Sequence, residues 1–234
     1  MPWIDTLELA RRIRSQPCFA TPHNWLVLRI NREIALKYAS LCHGDLLDIG
    51  CGDRPYEQLL RPYVTRYVGL EHPSTQHSKE QVDVWGDAAA LPFPDMTFDT
   101  VVAFQVLEHL PEPKLALEEM FRVLRPEGTL LLTTPFMWGI HEAPYDFYRY
   151  TPYGLTYLLE TAGFTDIAVT ANFGYWAMAG LRFSYYLQHV RSKKTTYFVS
   201  ALQNLAQLTA LVMDRAHRID SDAGSYTTVA QRPR

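Results

Sequence analysis

A glycine turn and a carboxylate further along the chain have the types and spacing that suit a nucleoside ligand. The apolar run that contains Asp48 continues directly into Gly50-Cys51-Gly52. Glycine at such a turn lets a ligand approach the backbone, which a side chain would prevent. Glu71 ends the next apolar run, about 20 residues after Gly52, and a carboxylate there accepts hydrogen bonds from both hydroxyls of a ribose. These features predict a nucleoside site.

A second acidic residue extends this pattern. Asp87 follows the third apolar run, in Gly86-Asp87-Ala88, where its carboxylate suits an adenine amino group and Ala88 would lie on the same wall. Taken singly, these features are also typical of ordinary turns and of solvated acids at strand ends. Their combination favours an α/β domain that binds a nucleoside over one that does not.

The stretch from Pro135 to Tyr150 carries the candidates for acid–base chemistry. His141 titrates in the range suited to accepting a proton near neutral pH. Asp146 is placed to orient that imidazole, and Arg149 to bind an acidic group on a substrate. Two alternatives stand beside these roles: an ordinary ion pair, because Asp146 and Arg149 are three residues apart, and a histidine that only caps or packs.

Other titratable residues nearby are assigned no chemistry. His109 follows Glu108, and a structural role at the start of a helix is favoured for it. No metal site is predicted among His141, Glu142 and Asp146. Adjacent residues in an extended segment point in opposite directions, so His141 and Glu142 would not easily share one ion.

Short apolar runs alternate with helical patterns, and together they predict the elements that position these residues. Nearly continuous apolar strands between helices indicate a parallel sheet covered on both faces, and therefore the α/β class. The predicted strands cover residues 46–49, 67–70, 82–85, 100–104, 129–133, 167–169 and 226–230. The predicted helices cover residues 26–41, 113–124, 151–162, 176–190 and 195–216. The first of them is expected to pack and to carry no site.

The whole chain is predicted to form one domain, because no internal repeat or low-complexity linker divides it. About fifty residues separate the last two predicted strands, far more than the two to five of a hairpin loop. The predicted divisions are N-terminal helices at 1–43, a core at 44–171, a helical insertion at 172–223, and the last strand and tail at 224–234.

Composition restricts the partners and the compartment. The net charge is −3 and no basic stripe occurs, which disfavours nucleic acid as the main partner. Cys18, Cys42 and Cys51 are odd in number and form no C-x-x-C pair, which favours a reducing cytoplasm. The early Asp5 is untypical of a signal peptide. No run approaches the ~20 apolar residues of a membrane span.

Half of the aromatic residues lie between Phe136 and Tyr186. One group within or beside the insertion suits a lid over a flat or partly apolar substrate, or else packs the inserted helices: Phe173, Tyr175, Trp176, Phe183, Tyr185 and Tyr186. The second inserted helix has an apolar stripe with basic residues near its ends. That stripe suits a dimer face, core packing or a membrane surface, and the first two are favoured.

These motifs resemble those of the class I S-adenosylmethionine (SAM)-dependent methyltransferases over about residues 44–170. The segment Asp48-Ile49-Gly50-Cys51-Gly52 is similar to their first motif, Glu71 to their ribose-binding acid and Asp87 to their adenine-side acid. Residues 98–110 are similar to their fourth-strand segment. Residues 123–128 are similar to their passage from a helix into the fifth strand.

The resemblance implies SAM as cofactor, S-adenosylhomocysteine (SAH) as product, and a doubly wound, mostly parallel seven-stranded sheet whose last strand is antiparallel. To this core the chain adds an N-terminal helical arm and the helical insertion before the last strand. Asp48 would order the amino-acid end of SAM. Gln105 would lie near the methionine portion, or else is an ordinary polar residue at a strand end.

The chain departs from the family pattern at one position. The family usually has another glycine two positions after Gly52, where this chain has Arg54 followed by Pro55-Tyr56. The turn is therefore expected to differ there. Some bacterial members share this Gly-Cys-Gly-x-Arg-Pro-Tyr variant, which places the chain in that subgroup.

The predicted function is methyl transfer to a small-molecule or sugar-containing acceptor, at oxygen because His141 suits a hydroxyl that must lose its proton. One alternative is a nicotinamide-dependent oxidoreductase, although Gly50-Cys51-Gly52-Asp53-Arg54-Pro55 lacks the third glycine of the dinucleotide fingerprint. The other is a protein that keeps the fold and binds SAM without turnover.

Overall fold

Seven strands form one sheet in a computed structural model that describes residues 22–75 and 80–234. The strands are β1 Asp45–Ile49, β2 Arg66–Glu71, β3 Val84–Trp85, β4 Phe98–Phe104, β5 Leu124–Pro135, β6 Thr165–Ala171 and β7 Ser225–Gln231. Their order across the sheet is β3-β2-β1-β4-β5-β7-β6. Strands β1 to β5 pair in parallel, and β7 runs antiparallel to both β5 and β6. The predicted fold class and all seven predicted strands are confirmed.

Six α-helices accompany the sheet within the described residues. They are α1 Trp25–Tyr38, α2 Glu57–Leu60, α3 Pro113–Val123, α4 Pro152–Thr161, α5 Tyr175–Gln188 and α6 Thr196–Ala216. The two helices of the insertion agree with the prediction within two residues. The first 21 residues of the predicted N-terminal arm, with Asp5 and Cys18, lie outside the described residues.

Helix α3 ends one residue earlier than predicted, and helix α4 begins where predicted. Helix α3 ends at Val123, and Leu124 already pairs with Phe98 as the first residue of β5. The next paired residues are Thr100 and Thr129, so residues 125–128, which separate the predicted helix from the predicted strand, form a bulge within β5. Helix α4 begins as predicted, because the Thr151 hydroxyl accepts a hydrogen bond from the backbone N–H of Gly154.

Both faces of the sheet are buried, as the near-continuous apolar strands predict. Leu47 and Leu130 pack on one face, whereas their neighbours Leu46 and Leu131 pack on the other, and all four are fully buried. Helices α3 and α4 cover the first face, and the second is covered by α2 and by the residues that follow α1. Alternate side chains of one strand therefore enter different cores.

A separate apolar cluster joins the N-terminal helix to the insertion. Leu26, Ile30 and Ile34 of α1 pack against Phe173 and against buried residues of α5 and α6. The insertion is thereby held against α1 by its own core. Helix α1 also packs near the carboxyl ends of the central strands. This cluster therefore places the insertion beside those strand ends.

Helix α6 buries three polar side chains and exposes much of its apolar stripe. The buried residues are Val199, Gln203, Gln207, Ala210 and Asp214. Four residues of the predicted apolar stripe are exposed: Tyr197 at 89%, Leu205 at 60%, Leu208 at 53% and Val212 at 59%. Core packing, one of the three uses predicted for this stripe, is therefore wrong for these residues.

The buried polar residues of α6 pair with backbone groups at, or just before, the starts of α1 and α5, where the first N–H groups of a helix have no partner within it. The Gln207 side chain accepts from the Leu26 N–H at 3.0 Å and donates to the Pro22 carbonyl at 2.6 Å, at the start of α1. Asp214 accepts from the N–H groups of Gly174 and Ala177, at the start of α5. The polar face of α6 thus ties together the two helices beside it.

Candidate functional site

A large cavity of about 650 Å3 opens where β1, β2 and β4 end. Parallel α/β sheets bind ligands at the carboxyl ends of their strands, and this volume is in the range of cofactor sites. The residues predicted to bind the cofactor all lie on its wall: Asp48, Gly50, Cys51, Gly52, Glu71, Asp87, Ala88 and Gln105. The structure therefore brings together residues that are up to 57 positions apart in sequence, and their contact with a ligand stays a prediction.

The turn after β1 needs glycine for both conformation and space. Gly50 has φ 69° and Gly52 has φ 47°, in the left-handed region. A Cβ atom on Gly50 would lie 2.5 Å from a methyl carbon of Val106. The N–H groups of Gly50 and Cys51 both donate to the Leu70 carbonyl, which anchors the turn to the end of β2.

Arg54, the residue that departs from the family pattern, has the conformation that glycine favours. Its φ is 53°, again in the left-handed region. Its guanidinium lies 2.6 Å from the Asp83 carboxylate and stacks over the Tyr67 ring. The ion pair and the stacking compensate for the backbone conformation, so the turn closes without the additional glycine.

Glu71 is held at the wall of the large cavity by backbone donors. One carboxylate oxygen accepts from the Gly52 N–H and the other from the His72 N–H, each at 2.9 Å. The side chain is buried yet lines the cavity. Each carboxylate oxygen has a second lone pair, which is available to a ligand hydroxyl.

Asp48 and Cys51 lie deeper in the same wall. Burial raises the pKa of Asp48 to about 7, and the Tyr67 hydroxyl, which donates to this carboxylate, opposes that shift. Burial also raises the pKa of the Cys51 thiol to about 12. Cys51 is therefore neutral at physiological pH and acts as part of the wall.

Asp87 and Ala88 form the other end of the wall. Asp87 is exposed, and its carboxylate accepts from the Ala89 N–H at 2.9 Å, which fixes its orientation. Ala88 is buried beside it. This arrangement presents a fixed acceptor next to a small apolar surface.

A small cavity of about 180 Å3 adjoins the large one. Its wall comes from α1, from the ends of β4 and β5, and from the start of the insertion: Val27, Asn31, Gln105, His109, Pro135, Trp138, His141, Glu142, Phe173, Gly224 and Ser225. Gln105, His109 and Glu142 line both cavities. Helix α1, which the sequence predicts only to pack, also contributes Val27 and Asn31 to this wall.

Gln105 stands at the boundary between the two cavities. Its φ of 57° is left-handed, and its N–H donates to the Thr133 carbonyl at 2.9 Å. Its side-chain Nε2 is buried and has no hydrogen-bond partner in the part of the chain that the structure describes. A buried amide without a partner is costly, so this donor is suited to a ligand atom at the boundary.

His141, Asp146 and Arg149 form one connected group. Arg149 binds Asp146 through two hydrogen bonds, at 2.6 and 2.8 Å. Asp146 also accepts from the His141 N–H at 2.9 Å, and its Oδ2 lies 3.3 Å from His141 Nδ1. Asp146 therefore takes part in the ion pair and orients the histidine as well.

Hydrogen bonds and burial set the protonation states of Asp146 and His141. The Arg149 guanidinium holds the pKa of Asp146 well below its usual range. Burial lowers the pKa of His141, so its imidazole is neutral near pH 7. Arg149 also donates to the Gly139 and Trp138 carbonyls. His141 lines the small cavity, whereas Asp146 and Arg149 line neither cavity.

Glu108 is a residue that sequence reasoning missed. Its carboxylate is fully buried, and neither oxygen has a hydrogen-bond partner among the described residues. One oxygen lies 3.8 Å from His109 Nε2 and 4.0 Å from His141 Nε2. Burial raises the pKa of Glu108 to about 8. The available signal was its position: Glu108 and His109 lie three and four residues after Gln105, in the turn that follows β4.

His109 does not lie at the start of a helix, as the sequence predicts, but at the end of a turn. It ends a short 3-10 turn, Leu107–His109, and its Nδ1 lies 2.5 Å from the Tyr145 carbonyl. Its ring also packs edge-on against His141, with ring centres 4.8 Å apart. His109 thus links the end of β4 to the segment that carries His141.

The predicted aromatic lid is only partly realised. Phe173 lines the small cavity, and Tyr185 contacts its wall through an edge-on contact with Trp138. The other members of that group do not line either cavity.

Among the described residues, no helix combines the length and apolarity needed to cross a membrane.

Comparison with known proteins identifies the domain. Residues 47–132 match the family described as a methyltransferase domain. A probable S-adenosylmethionine-dependent methyltransferase of Mycolicibacterium smegmatis is 35% identical over 164 residues, which cover 64% of this chain and 63% of that protein. The 27-O-demethylrifamycin SV methyltransferase of Amycolatopsis mediterranei is 34% identical over 100 residues, 37% of each chain. The chain thus spans less than two thirds of either relative.

The solved structures agree on the fold. Phosphoethanolamine N-methyltransferase 2 of Haemonchus contortus, in complex with phosphomonomethylethanolamine and SAH, superposes with a TM-score of 0.60 at 16% identity. The match covers 100% of this chain and 62% of that one. Residues 47–132 thus match a methyltransferase domain, and the glycine turn, its acidic partners and the sheet order make the chain similar to the class I SAM-dependent methyltransferases.

Proposed function

We propose that this protein transfers the methyl group of SAM to a hydroxyl of a small-molecule or sugar-containing acceptor. The observation that carries the proposal is the pair of adjoining cavities. The large cavity has the acidic groups and the glycine turn that suit SAM, and the small cavity presents a neutral histidine at its wall.

The residues of the large cavity fit SAM by their chemistry. Glu71 would accept hydrogen bonds from the ribose, and Asp87 from the adenine amino group, with Ala88 against the base. Asp48 and Gln105 would hold the amino-acid end, while the glycine turn leaves space that a Cβ atom would fill. When bound, SAM supplies a methyl carbon activated by its sulfonium. The protein contributes position, which supplies much of the rate enhancement in such transfers.

In this proposal His141 accepts the proton of the acceptor hydroxyl. A neutral imidazole is the required form, and burial keeps it neutral at pH 7. Asp146 orients the ring. Arg149 acts as a positioning residue through Asp146 and does not bind the acceptor directly, since its guanidinium is bonded to Asp146 and to backbone carbonyls.

The lining of the small cavity supports the acceptor class. Trp138 and Phe173 offer flat apolar surfaces, while Asn31 and Ser225 offer hydrogen bonds. Such a mixture suits an aromatic or sugar-bearing hydroxyl compound. The name of the Amycolatopsis relative, which places its methyl group on oxygen, supports the choice of oxygen over nitrogen.

Calorimetry with SAH and with NADH tests the cofactor assignment. At about 100 times its Kd, SAH is expected to stabilise the fold by about 2.7 kcal/mol, which raises Tm by about 5–10 °C for a chain of this size. NADH is expected to give no heat and no shift in Tm. Tight binding of NADH without SAH binding would support the oxidoreductase alternative instead.

A methyl-transfer screen over hydroxyl and amine acceptors tests the reaction. On the acceptor that works, His141→Ala is expected to lower kcat by about 10²–10⁴-fold, and His189→Ala, at an exposed position, to leave it unchanged. Unchanged turnover in His141→Ala would remove the base assignment. SAM binding without methylation of any acceptor would favour a non-catalytic protein.

We also propose that the protein is cytoplasmic, does not use nucleic acid as its main partner, and forms a homodimer through the insertion. The exposed apolar side of α6 supports the last point. Light scattering on the protein and on the double variant Leu205→Glu/Leu208→Glu tests it. A monomer in both cases would contradict it.

A further inference from the structure

A group of three ligand-type side chains lies at the boundary between the two cavities. Glu108 and His109 come from the end of β4, and His141 from the segment that follows β5. One potential ligand atom from each of the three lies within 4.8 Å of the others. His109 lines both cavities and His141 lines the small one, so the two histidines face the space where the cavities meet, whereas Glu108 is fully buried beside them.

The two histidines are held in the way that metal-binding histidines are held. His109 Nδ1 lies 2.5 Å from the Tyr145 carbonyl. His141 Nδ1 lies 3.3 Å from both the Gly139 carbonyl and the Asp146 carboxylate. An imidazole that donates through Nδ1 to a carbonyl or carboxylate presents an unprotonated Nε2, which is the usual ligand form. In both residues Nε2 is the nitrogen near Glu108.

Glu108 supplies an independent observation. Its side chain is 0% exposed, and both carboxylate oxygens are without a hydrogen-bond partner in the described chain. Burial of a carboxylate without partners is among the costliest arrangements in a protein interior. Its distances to the two Nε2 atoms, 3.8 and 4.0 Å, are too long for hydrogen bonds. A cation bound between the three side chains would satisfy the carboxylate.

We propose that Glu108, His109 and His141 bind one divalent transition-metal ion, such as Zn²⁺, Mn²⁺ or Co²⁺. Two imidazole nitrogens and one carboxylate form a donor set that such ions prefer, whereas Mg²⁺ and Ca²⁺ prefer oxygen donors alone. Ligand atoms of one such ion lie about 3 Å apart, given bonds of about 2.0–2.2 Å. The ligand atoms of the three side chains already lie within 4.8 Å of one another, so small side-chain rotations would bring them to this spacing.

In the metal-bound protein His141 Nε2 is a ligand and cannot also accept a proton. The ion would then take over that role and promote the loss of a proton from an acceptor hydroxyl bound to it. A hydroxyl oxygen coordinated to such an ion loses its proton to water more readily than the free hydroxyl does. This use of the ion rests on the proposed function, but its binding does not. The sequence predicted no metal site among His141, Glu142 and Asp146. The two residues that join His141 in the structure are Glu108 and His109, which follow β4.

Calorimetric titration of protein first dialysed against a chelator tests the site. ZnCl2, MnCl2 and MgCl2 are added separately, without SAM or acceptor. One equivalent of Zn²⁺ or Mn²⁺ is expected to bind, with Mg²⁺ much weaker. Glu108→Gln and His109→Asn are each expected to lower the affinity by about 10-fold or more. The exposed controls Glu160→Gln and His189→Asn are expected to bind as the wild type does.

The absorption spectrum of Co²⁺-loaded protein gives a second measurement, since nitrogen ligands produce visible bands that Glu108→Gln would change. No binding of Zn²⁺ or Mn²⁺, or equal binding in Glu108→Gln and the wild type, would overturn the proposal. Circular dichroism verifies that each variant folds. SAH binding is measured on the same samples. A protein that binds SAH but no metal would reject only the metal site. A protein that binds metal but no SAH would reject only the proposed function.

Discussion

Asp48, a proposed cofactor-binding residue, makes the stability of the fold depend on pH. Its burial raises its pKa from 3.8 to about 7. Between these values the folded protein keeps a proton that the unfolded chain has released, so this contribution to stability is lost as the pH rises towards 7. From pH 5 to pH 8 the loss is about 3 kcal/mol.

Asp48→Asn is therefore expected to remove this part of the pH dependence. Urea unfolding of the ligand-free protein at pH 5 and pH 8 measures it. The free energy of unfolding of the variant should rise relative to that of the wild type as the pH rises. Asp53→Asn, in an exposed position of the same turn, should show the same pH dependence as the wild type. Parallel curves for Asp48→Asn would show that Asp48 is ionised in the folded protein throughout this range.

Glu71 carries a prediction about affinity. Its carboxylate is fixed by two backbone N–H groups and faces the large cavity. Hydrogen bonds to a charged group contribute about 1.5–3 kcal/mol each, so removal of a carboxylate that binds ribose should cost roughly 100-fold in affinity. Glu71→Ala is expected to weaken SAH binding by that factor in calorimetry. Glu112→Ala, at an exposed position, should bind normally, and equal affinities would remove the ribose assignment.

At the scale of elements, helix α6 depends on its polar side chains. Gln207 satisfies the Leu26 N–H and the Pro22 carbonyl at the start of α1. A buried backbone group left without a partner costs about 1–3 kcal/mol, so Gln207→Ala is expected to lower the free energy of unfolding by about 3 kcal/mol. Thr209→Ala, on the exposed side, should stay within about 0.5 kcal/mol of the wild type. Urea unfolding compares the two, and similar values would contradict this role of Gln207.

The elements themselves were predictable because local pattern is enough to define them. Apolar runs predicted every strand, and Thr151 predicted the start of α4 through its capping hydroxyl. The orientation of α6 was not predictable in this way. Periodicity shows that a helix has two faces, but the packing partner decides which face is buried, and here α1 and α5 require hydrogen bonds from Gln207 and Asp214.

At the scale of the whole molecule, the large cavity was predictable and the small one was not. The residues of the large cavity follow strand ends in order along the chain, so topology alone brings them together. The small cavity needs α1, the segment after β5 and the insertion to meet, as Val27, His141 and Phe173 do. Contacts so far apart in sequence leave no periodic signal, which is why α1 was expected to carry no site.

The separation of the two cavities predicts where a ligand changes the dynamics of the chain. The large cavity is lined by no residue of α5 or α6. SAH is therefore expected to slow amide hydrogen exchange in residues 48–55, 69–75 and 86–90 and to leave 196–216 unchanged. Mass spectrometry of exchange with and without SAH measures this. Slower exchange in 196–216 would show that the insertion responds directly to the cofactor.

The reversed faces of α6 have a practical consequence for protein engineering. Leu205, Leu208 and Val212 are exposed in the single chain, so exchange for glutamate or lysine removes little packing within that chain and lowers the apolar area available for aggregation. The same exchange would break the homodimer proposed for this face. On the same helix, replacement of Gln203 or Gln207 by leucine would raise the average hydrophobicity of a buried face and yet weaken the fold. A redesign of this surface for solubility therefore has to follow the hydrogen bonds of the helix rather than its hydropathy.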